Sequence, residues 1–167
     1  MPSGSDPIEL LGEQWRGEVP DIDTAPMVAV ARLNRTRALV IKRVEDALAE
    51  AGSSMATFDV LSSLRRQGPP YEMKPSAIAR SIMLSASGMT NRVDQLEAAG
   101  LVARVADPTS RRTAPVALTD DGVAEAERLL RIVVQTEQDA LAGLSATERD
   151  TLGDLLAKLA ATLDEAD

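Results

Sequence analysis

The chain is predicted to be mainly α with one small β-hairpin: a winged helix-turn-helix between long N- and C-terminal dimerisation helices. Three observations predict this. Apolar residues recur at helical spacing through most of the 167 residues. Two short periodic segments, joined by about three residues, sit in mid-chain. Directly after them, two alternating stretches flank a turn with a basic tip, the pattern of a hairpin wing.

Asp6 caps and Pro7 opens a short helix over 6–17, with Ile8, Leu11 and Trp15 at helical spacing. Residues 17–24, with Pro20 and three acids, form a connector. A long helix over 26–51 follows, capped by Thr24 and stopped by Gly52. Its apolar positions are Met27, Val30, Leu33, Ile41, Val44 and Leu48, with Arg32, Arg35, Lys42 and Arg43 between them. A shorter helix over 55–67 turns Phe58, Leu61 and Leu64 inward and breaks at Gly68-Pro69-Pro70. Lys74-Pro75-Ser76 opens the first short helix, with Ile78 and Ile82 on one face to about Met83. Ser85 caps the second, whose stripe of Met89, Val93 and Leu96 ends at Gly100. Residues 101–106 and 115–118 are the hairpin strands around the turn Asp107 to Arg112. Thr119 caps a long helix over 120–142, ended by Gly143, and Ser145-x-x-Glu148 is a capping box for a last helix to about Leu163. The domain reading follows: 1–25 an extra helix and connector, 26–54 and 120–167 dimerisation helices, 55–119 the winged helix-turn-helix.

Composition narrows function by what is missing. Without Cys or His there is no thiolate nucleophile, disulfide, usual zinc ligand set, His-based triad or thiol redox sensor. The remaining Ser, Lys, Asp, Glu and Tyr71 do not converge on a nucleophile or glycine-loop motif, so an enzyme is not expected. Neither a cofactor nor a metal is expected. No apolar run approaches a membrane span and the N-terminus lacks a signal pattern, so a cytoplasmic protein without membrane contact is expected.

Net charge is -8, which taken whole argues against a nucleic-acid partner. The charge is segregated, however. Residues 60–112 hold eight bases against four acids, a net +4, while the rest of the chain carries -12. A basic middle flanked by acidic ends marks a local anion-binding face.

The second short helix is the candidate recognition helix. With its apolar stripe inward, Ser87, Gly88, Asn91 and Gln95 lie outward, and Thr90 and Arg92 flank them. Asn and Gln bond adenine through N6 and N7, and small residues allow close approach to DNA. Ser85, Ser76 and Lys74 sit at helix starts, where exposed N–H groups attract phosphate. Arg111 and Arg112 at the hairpin tip suit a narrow minor groove. Arg104 joins the basic set, and Arg65, Arg66, Lys74 and Arg80 are candidates for sequence-neutral phosphate contacts. Ordinary solvated polar groups are the competing reading for each. The outer helices have apolar stripes but no partner domain, so they are expected to meet each other and a second subunit. Leu11, Leu129, Ile132, Val133, Leu152, Leu155, Leu156 and Leu159 are the candidate dimer residues, with intrachain core as the alternative. Such a homodimer reads a pseudo-palindromic DNA operator.

Three segments carry a resemblance: Lys74-Pro75-Ser76-Ala77-Ile78-Ala79, then Thr90 through Arg104 with its Leu96-Glu97-Ala98-Ala99-Gly100-Leu101-Val102 core, then Arg111-Arg112 and Val116-Ala117-Leu118-Thr119-Asp120-Asp121-Gly122. Together, from about Pro26 to the C-terminus, they resemble the MarR family of dimeric winged-helix transcriptional regulators, whose default is repression. The acid that usually precedes the wing arginines is Ser110 here. The additional N-terminal helix with one Trp is similar to the urate-responsive branch. That resemblance implies a ligand site of Trp15, Asp59, Thr90 and Arg92, taking a small planar anion such as urate between the recognition helix and the helix before it. Trp15 as a dimer anchor with Asp59–Arg92 as a plain ion pair is the alternative. So is a phenolic or other organic-acid effector, or constitutive DNA binding.

Overall fold

The structure is a computed structural model; it describes residues 6–82, 86–105 and 114–164, without the side chains of residues 86 and 87. Seven helices and three short strands are present among these residues, in the order α1 (Pro7–Glu18), α2 (Ala25–Glu50), α3 (Met55–Arg65), β1 (Glu72–Met73), α4 (Pro75–Ser81), α5 (Ala86–Ala98), β2 (Val102–Arg104), β3 (Val116–Leu118), α6 (Asp120–Ala140) and α7 (Ala146–Asp164). Two compact units divide the chain, one ending at Arg43 and one beginning at Val44. Each is described separately.

In the first unit the Asp6 carboxylate accepts the Ile8 N–H at 3.1 Å, capping α1 as its sequence predicts. Helix α1 lies close on the start of α2 because Gly12 lacks a side chain: a Cβ there would stand 2.6 Å from Val28 Cγ2. Arg32 of α2 ties the two together, donating to Asp6 at 3.2 Å and to Glu9 at 2.6 Å. The first-turn N–H of Ala25 is accepted by Asp23, while Thr24, the expected cap, is buried and its backbone carbonyl takes the Val28 N–H.

The second unit holds the core: Val44 and Leu48 from the end of α2, Val60, Leu61 and Leu64 from α3, Ile78 from α4, Met89, Val93 and Leu96 from α5, Val102 and Val116 from the strands, and Ala126, Leu129 and Val133 from α6. Every inward stripe expected for α3, α4 and α5 lies in this core or packs against it. Leu129 and Val133 are corrections: expected at a subunit interface, they are buried in the intrachain core, because α6 lies along α3, and the half-buried Ile132 packs against that core.

The sheet has three strands, ordered β1-β3-β2 and antiparallel throughout, where a two-stranded hairpin was expected. The added strand pairs Glu72 with Ala117 and Met73 with Val116. At two residues it is too short to show any period in the sequence. The turn from α3 into it uses left-handed backbone at Gly68 (φ 75°) and Tyr71 (φ 58°).

Thr119 caps α6 through the Gly122 N–H at 3.0 Å, and its hydroxyl also donates to the Gly100 carbonyl at 2.7 Å. Gly122 is required at its position: a Cβ would overlap the backbone carbonyl of Leu101. The start of α6 is thereby held directly on the turn that links α5 to β2. The capping box of α7 forms as predicted, Ser145 N–H and hydroxyl donating to the Glu148 carboxylate at 2.8 and 2.7 Å.

Candidate nucleic-acid interface and effector site

Helix α5 presents two chemically distinct sides. Met89, Val93 and Leu96 are buried, at 1, 0 and 4% exposure, while Asn91 and Gln95 are exposed and Gly88, Thr90 and Arg92 are half-buried. The period of 3.6 residues alone separates these sets. Helix α4 packs on α5 through the buried Ile78 and Ala79, which leaves Lys74, Ser76 and Arg80 exposed. The second unit thus brings together an amide-bearing helix face with hydrogen-bond capacity for base edges and separate cations suited to phosphate. Ser85, Arg111 and Arg112, expected in the same interface, lie outside the described residues. So does the side chain of Ser87, whose backbone belongs to α5.

Two expected cations are otherwise engaged. Arg104 was read as a DNA contact; its side chain is only 9% exposed, and it pairs with Asp94 at 2.7 Å and with Glu97, both on α5. Strand β2 directs it back across α5, so its charge is engaged by that helix's own carboxylates. Arg65 donates to Glu127 of α6 at 2.8 Å and lies 4.8 Å over the Tyr71 ring. Sequence reading missed Asp94 and Glu97 as partners, although two acids three residues apart on one helix, followed by a strand Arg, were a usable signal.

Of the four effector candidates, Asp59, Thr90 and Arg92 lie in the second unit, Trp15 in α1 of the first. Asp59 stands half-buried on α3. Burial pushes its carboxyl above the ordinary value of 3.8, opposed by the nearby guanidinium charges of Arg66 and Arg92. Neither Arg lies within ion-pair distance of it among the described residues. Arg92 has a buried Nε with no hydrogen-bond partner among the described residues. An unpaired buried donor beside a carboxylate whose charge is penalised by burial is an arrangement that a polar guest with both donors and acceptors would complete. Asp59 also borders an open cleft of about 720 Å³ between α3 and α6, whose apolar side is Phe58, Ala126 and Leu130 and whose charged side is Arg65, Arg66, Glu127 and Arg131. Trp15 is 45% exposed in its own unit.

Among the described residues no helix is long and apolar enough to cross a membrane, and no cluster of acidic side chains with metal-holding geometry occurs.

Comparison with known proteins agrees with this geometry. The family model described as MarR family matches residues 54–114, which run from the cap of α3 to the approach of β3. The regulator PecS of Dickeya dadantii, an HTH-type transcriptional regulator, is 35% identical over 152 residues, covering 91% of this chain and 92% of PecS. Two solved structures superpose with similar closeness. One, described by its mechanism for regulation of DNA binding by 6-hydroxynicotinic acid, is Bordetella bronchiseptica BpsR: 26% identical, TM-score 0.67, covering 79% of this chain and 98% of that one. The other is a mutant of E. coli MarR complexed with operator DNA, 25% identical with TM-score 0.66, covering 81% of this chain and 96% of that one. These relatives are regulators and not enzymes, which agrees with the exclusion drawn from the missing His and Cys. With the helix-turn-helix, the strand pair behind it and near full-length similarity to PecS in place, the chain belongs to the MarR family of winged-helix transcriptional regulators.

Proposed function

We propose that the protein is a ligand-responsive repressor that binds a pseudo-palindromic DNA operator as a homodimer and is released by a small anionic effector such as urate. The observation that carries the DNA reading is the division of α5: an apolar stripe fully buried and Asn91 and Gln95 left in solvent. Gly88 and Ser87 join them as base-edge or close-approach positions, Ser85 as the helix start. Lys74, Ser76 and Arg80 take phosphates, and Arg111 and Arg112 the minor groove. The description of E. coli MarR with operator DNA supports the same use of the fold.

The homodimer rests on α7, in which no residue is buried although Leu152, Leu155, Leu156 and Leu159 are large and apolar. Leu11 of α1 is similarly exposed. Most of a helix's stability in a protein comes from packing of its apolar face, so a second copy covering α7 supplies its missing apolar contacts. Two α5 helices then stand about 34 Å apart, one turn of duplex.

The effector reading rests on Asp59 and on the buried Arg92 Nε, which has no hydrogen-bond partner among the described residues; Thr90 and Trp15 are the further positions that the resemblance to the urate-responsive branch implies. Arg92 belongs to α5 and Asp59 to α3, so a guest held by both changes the relative free energies of two α5 positions, the condition for a switch. A second organic acid is favoured by one observation: BpsR is described as regulated by 6-hydroxynicotinic acid.

The test is a gel shift on the DNA upstream of the protein's own reading frame, with and without urate, 6-hydroxynicotinate or salicylate. Retarded DNA released by one of them is expected. Because Trp15 is the only Trp, its fluorescence should show saturable quenching by that effector in the wild type and none in Arg92→Ala. Retarded DNA that no anion releases would leave a constitutive DNA-binding protein.

A further inference from the structure

Arg104 lies in the basic segment but is withdrawn from its surface. Its guanidinium reaches from β2 to two carboxylates one helical turn apart on α5, Asp94 at 2.7 Å and Glu97. The three side chains grade from inside to outside: Arg104 is 9% exposed, Glu97 28% and Asp94 58%. Asp94 adjoins Gln95, one of the two exposed amides on the face proposed to read bases. We infer that Arg104 is a positioning residue: a clamp that sets the rotation of the recognition helix relative to the wing strand, without touching DNA. This inference rests on the DNA-binding reading above.

Two arguments carry it. The fork of an Arg engages two acceptors in fixed directions, which a flexible ammonium does not do. Bonds from one guanidinium to positions 94 and 97 therefore oppose rolling of α5 about its axis, the motion that would turn Asn91 and Gln95 away from a groove. Next, the clamp is not arranged for stability alone. The Nε of Arg104 is buried with no hydrogen-bond partner among the described residues, and a buried guanidinium with an unmet donor adds little to stability compared with an apolar contact. What it adds is direction. At its C-terminal end α5 is already pinned, by Thr119 on the Gly100 carbonyl and by Gly122 against Leu101. Arg104 adds a side-chain hold over the last five residues of the helix, at positions 94 and 97.

The experiment compares wild type with Arg104→Gln, Arg104→Lys and, as a phosphate-contact reference, Lys74→Ala. Binding to operator and to unrelated duplex is measured from 50 to 300 mM salt, with circular dichroism to establish that each is folded. For both Arg104 variants, operator affinity is expected to fall about 10- to 100-fold, the loss of charged hydrogen bonds to the helix. Binding to unrelated DNA should stay within about twofold and the salt slope should be retained. Lys74→Ala should instead weaken both DNAs and reduce the slope by about 0.9. A slope reduced by that amount in Arg104→Gln, with equal losses on both DNAs, would make Arg104 a phosphate contact and overturn the clamp. Full recovery by Arg104→Lys would reduce its role to charge. Amide hydrogen exchange on the free protein tests the clamp without DNA. Faster exchange in α5, with α3 and α6 unchanged, supports it; a uniform acceleration overturns it. Should wild type bind no DNA at all, the functional reading fails while the exchange result still decides the clamp.

Discussion

Helices α5 and α7 are both amphipathic, and they meet opposite fates. In α5, with 13 residues, the stripe Met89, Val93 and Leu96 is sealed in the core of its own chain. In α7, with 19 residues, five leucines stand 38 to 62% exposed and no residue is buried. The same periodicity thus serves two ends. One helix spends its apolar face on intrachain packing, so its polar face is held still; the other keeps its apolar face available. The lesson is that period identifies a helix and its stripe but does not name what covers the stripe.

The largest expected effect tests the sealed side. Leu129→Ala, in the core against α3, should cost about 2–5 kcal/mol of unfolding free energy by urea titration. Leu155→Ala in α7 should cost the folded monomer less than about 0.5 kcal/mol. Equal losses would mean α7 is packed within its own chain and would erase the contrast.

The next effect tests the open side. Leu155→Glu with Leu159→Glu should weaken self-association at least tenfold in analytical ultracentrifugation, since each places a charge in an apolar contact. A monomeric wild type at micromolar concentration would refute the dimer directly.

A smaller effect separates a helix that stands on capping from one that stands on packing. Ser145→Ala removes the capping box of α7 and should cost about 1 kcal/mol, read as lost helical signal at protein concentrations below the association range. Thr119→Ala at the α6 start should cost a similar amount in unfolding free energy, but with helical content intact, because α6 is held by Leu129 and Val133.

The smallest effect concerns Asp59, at the edge between core and candidate effector site. Its carboxyl pKa is raised above 3.8 in the folded protein by burial. The native state therefore binds the proton more tightly than the unfolded chain does. The resulting stabilisation is present below the unfolded value and lost as pH rises through the folded one. At pH 7 the buried charge is a net burden, so Asp59→Asn should melt slightly higher than wild type there, with the difference closing toward pH 4. A lower melting temperature at pH 7 would show that attraction to Arg66 and Arg92 outweighs burial.

Much of the fold was legible because its signals are local. Asp6, Thr119 and the Ser145–Glu148 pair declare helix starts by chemistry confined to one turn, and each forms the expected bond. The stripes of α3 and α5 follow from period alone, as do the strands at 102–104 and 116–118. The charge split between residues 60–112 and the flanks was likewise visible without coordinates, and it marked the region of the helix-turn-helix. The candidate site was legible in part: Asn91 and Gln95 are exposed as the apolar stripe of α5 required.

What escaped the sequence depends on contacts between distant positions. Strand β1 exists only because β3 offers an unpaired edge to Glu72 and Met73. Leu129 and Val133 have the same spacing as the leucines of α7, and only the packing of α6 on α3 assigns them to the core. Arg104 and Arg80 have the same charge, yet one is exposed on α4 and the other is turned by β2 onto Asp94 and Glu97. Hydrophobic period and capping are properties of neighbours along the chain, readable from order alone; burial and ion pairing are properties of neighbours in space, and in this protein they decide which basic groups remain free to meet an anion.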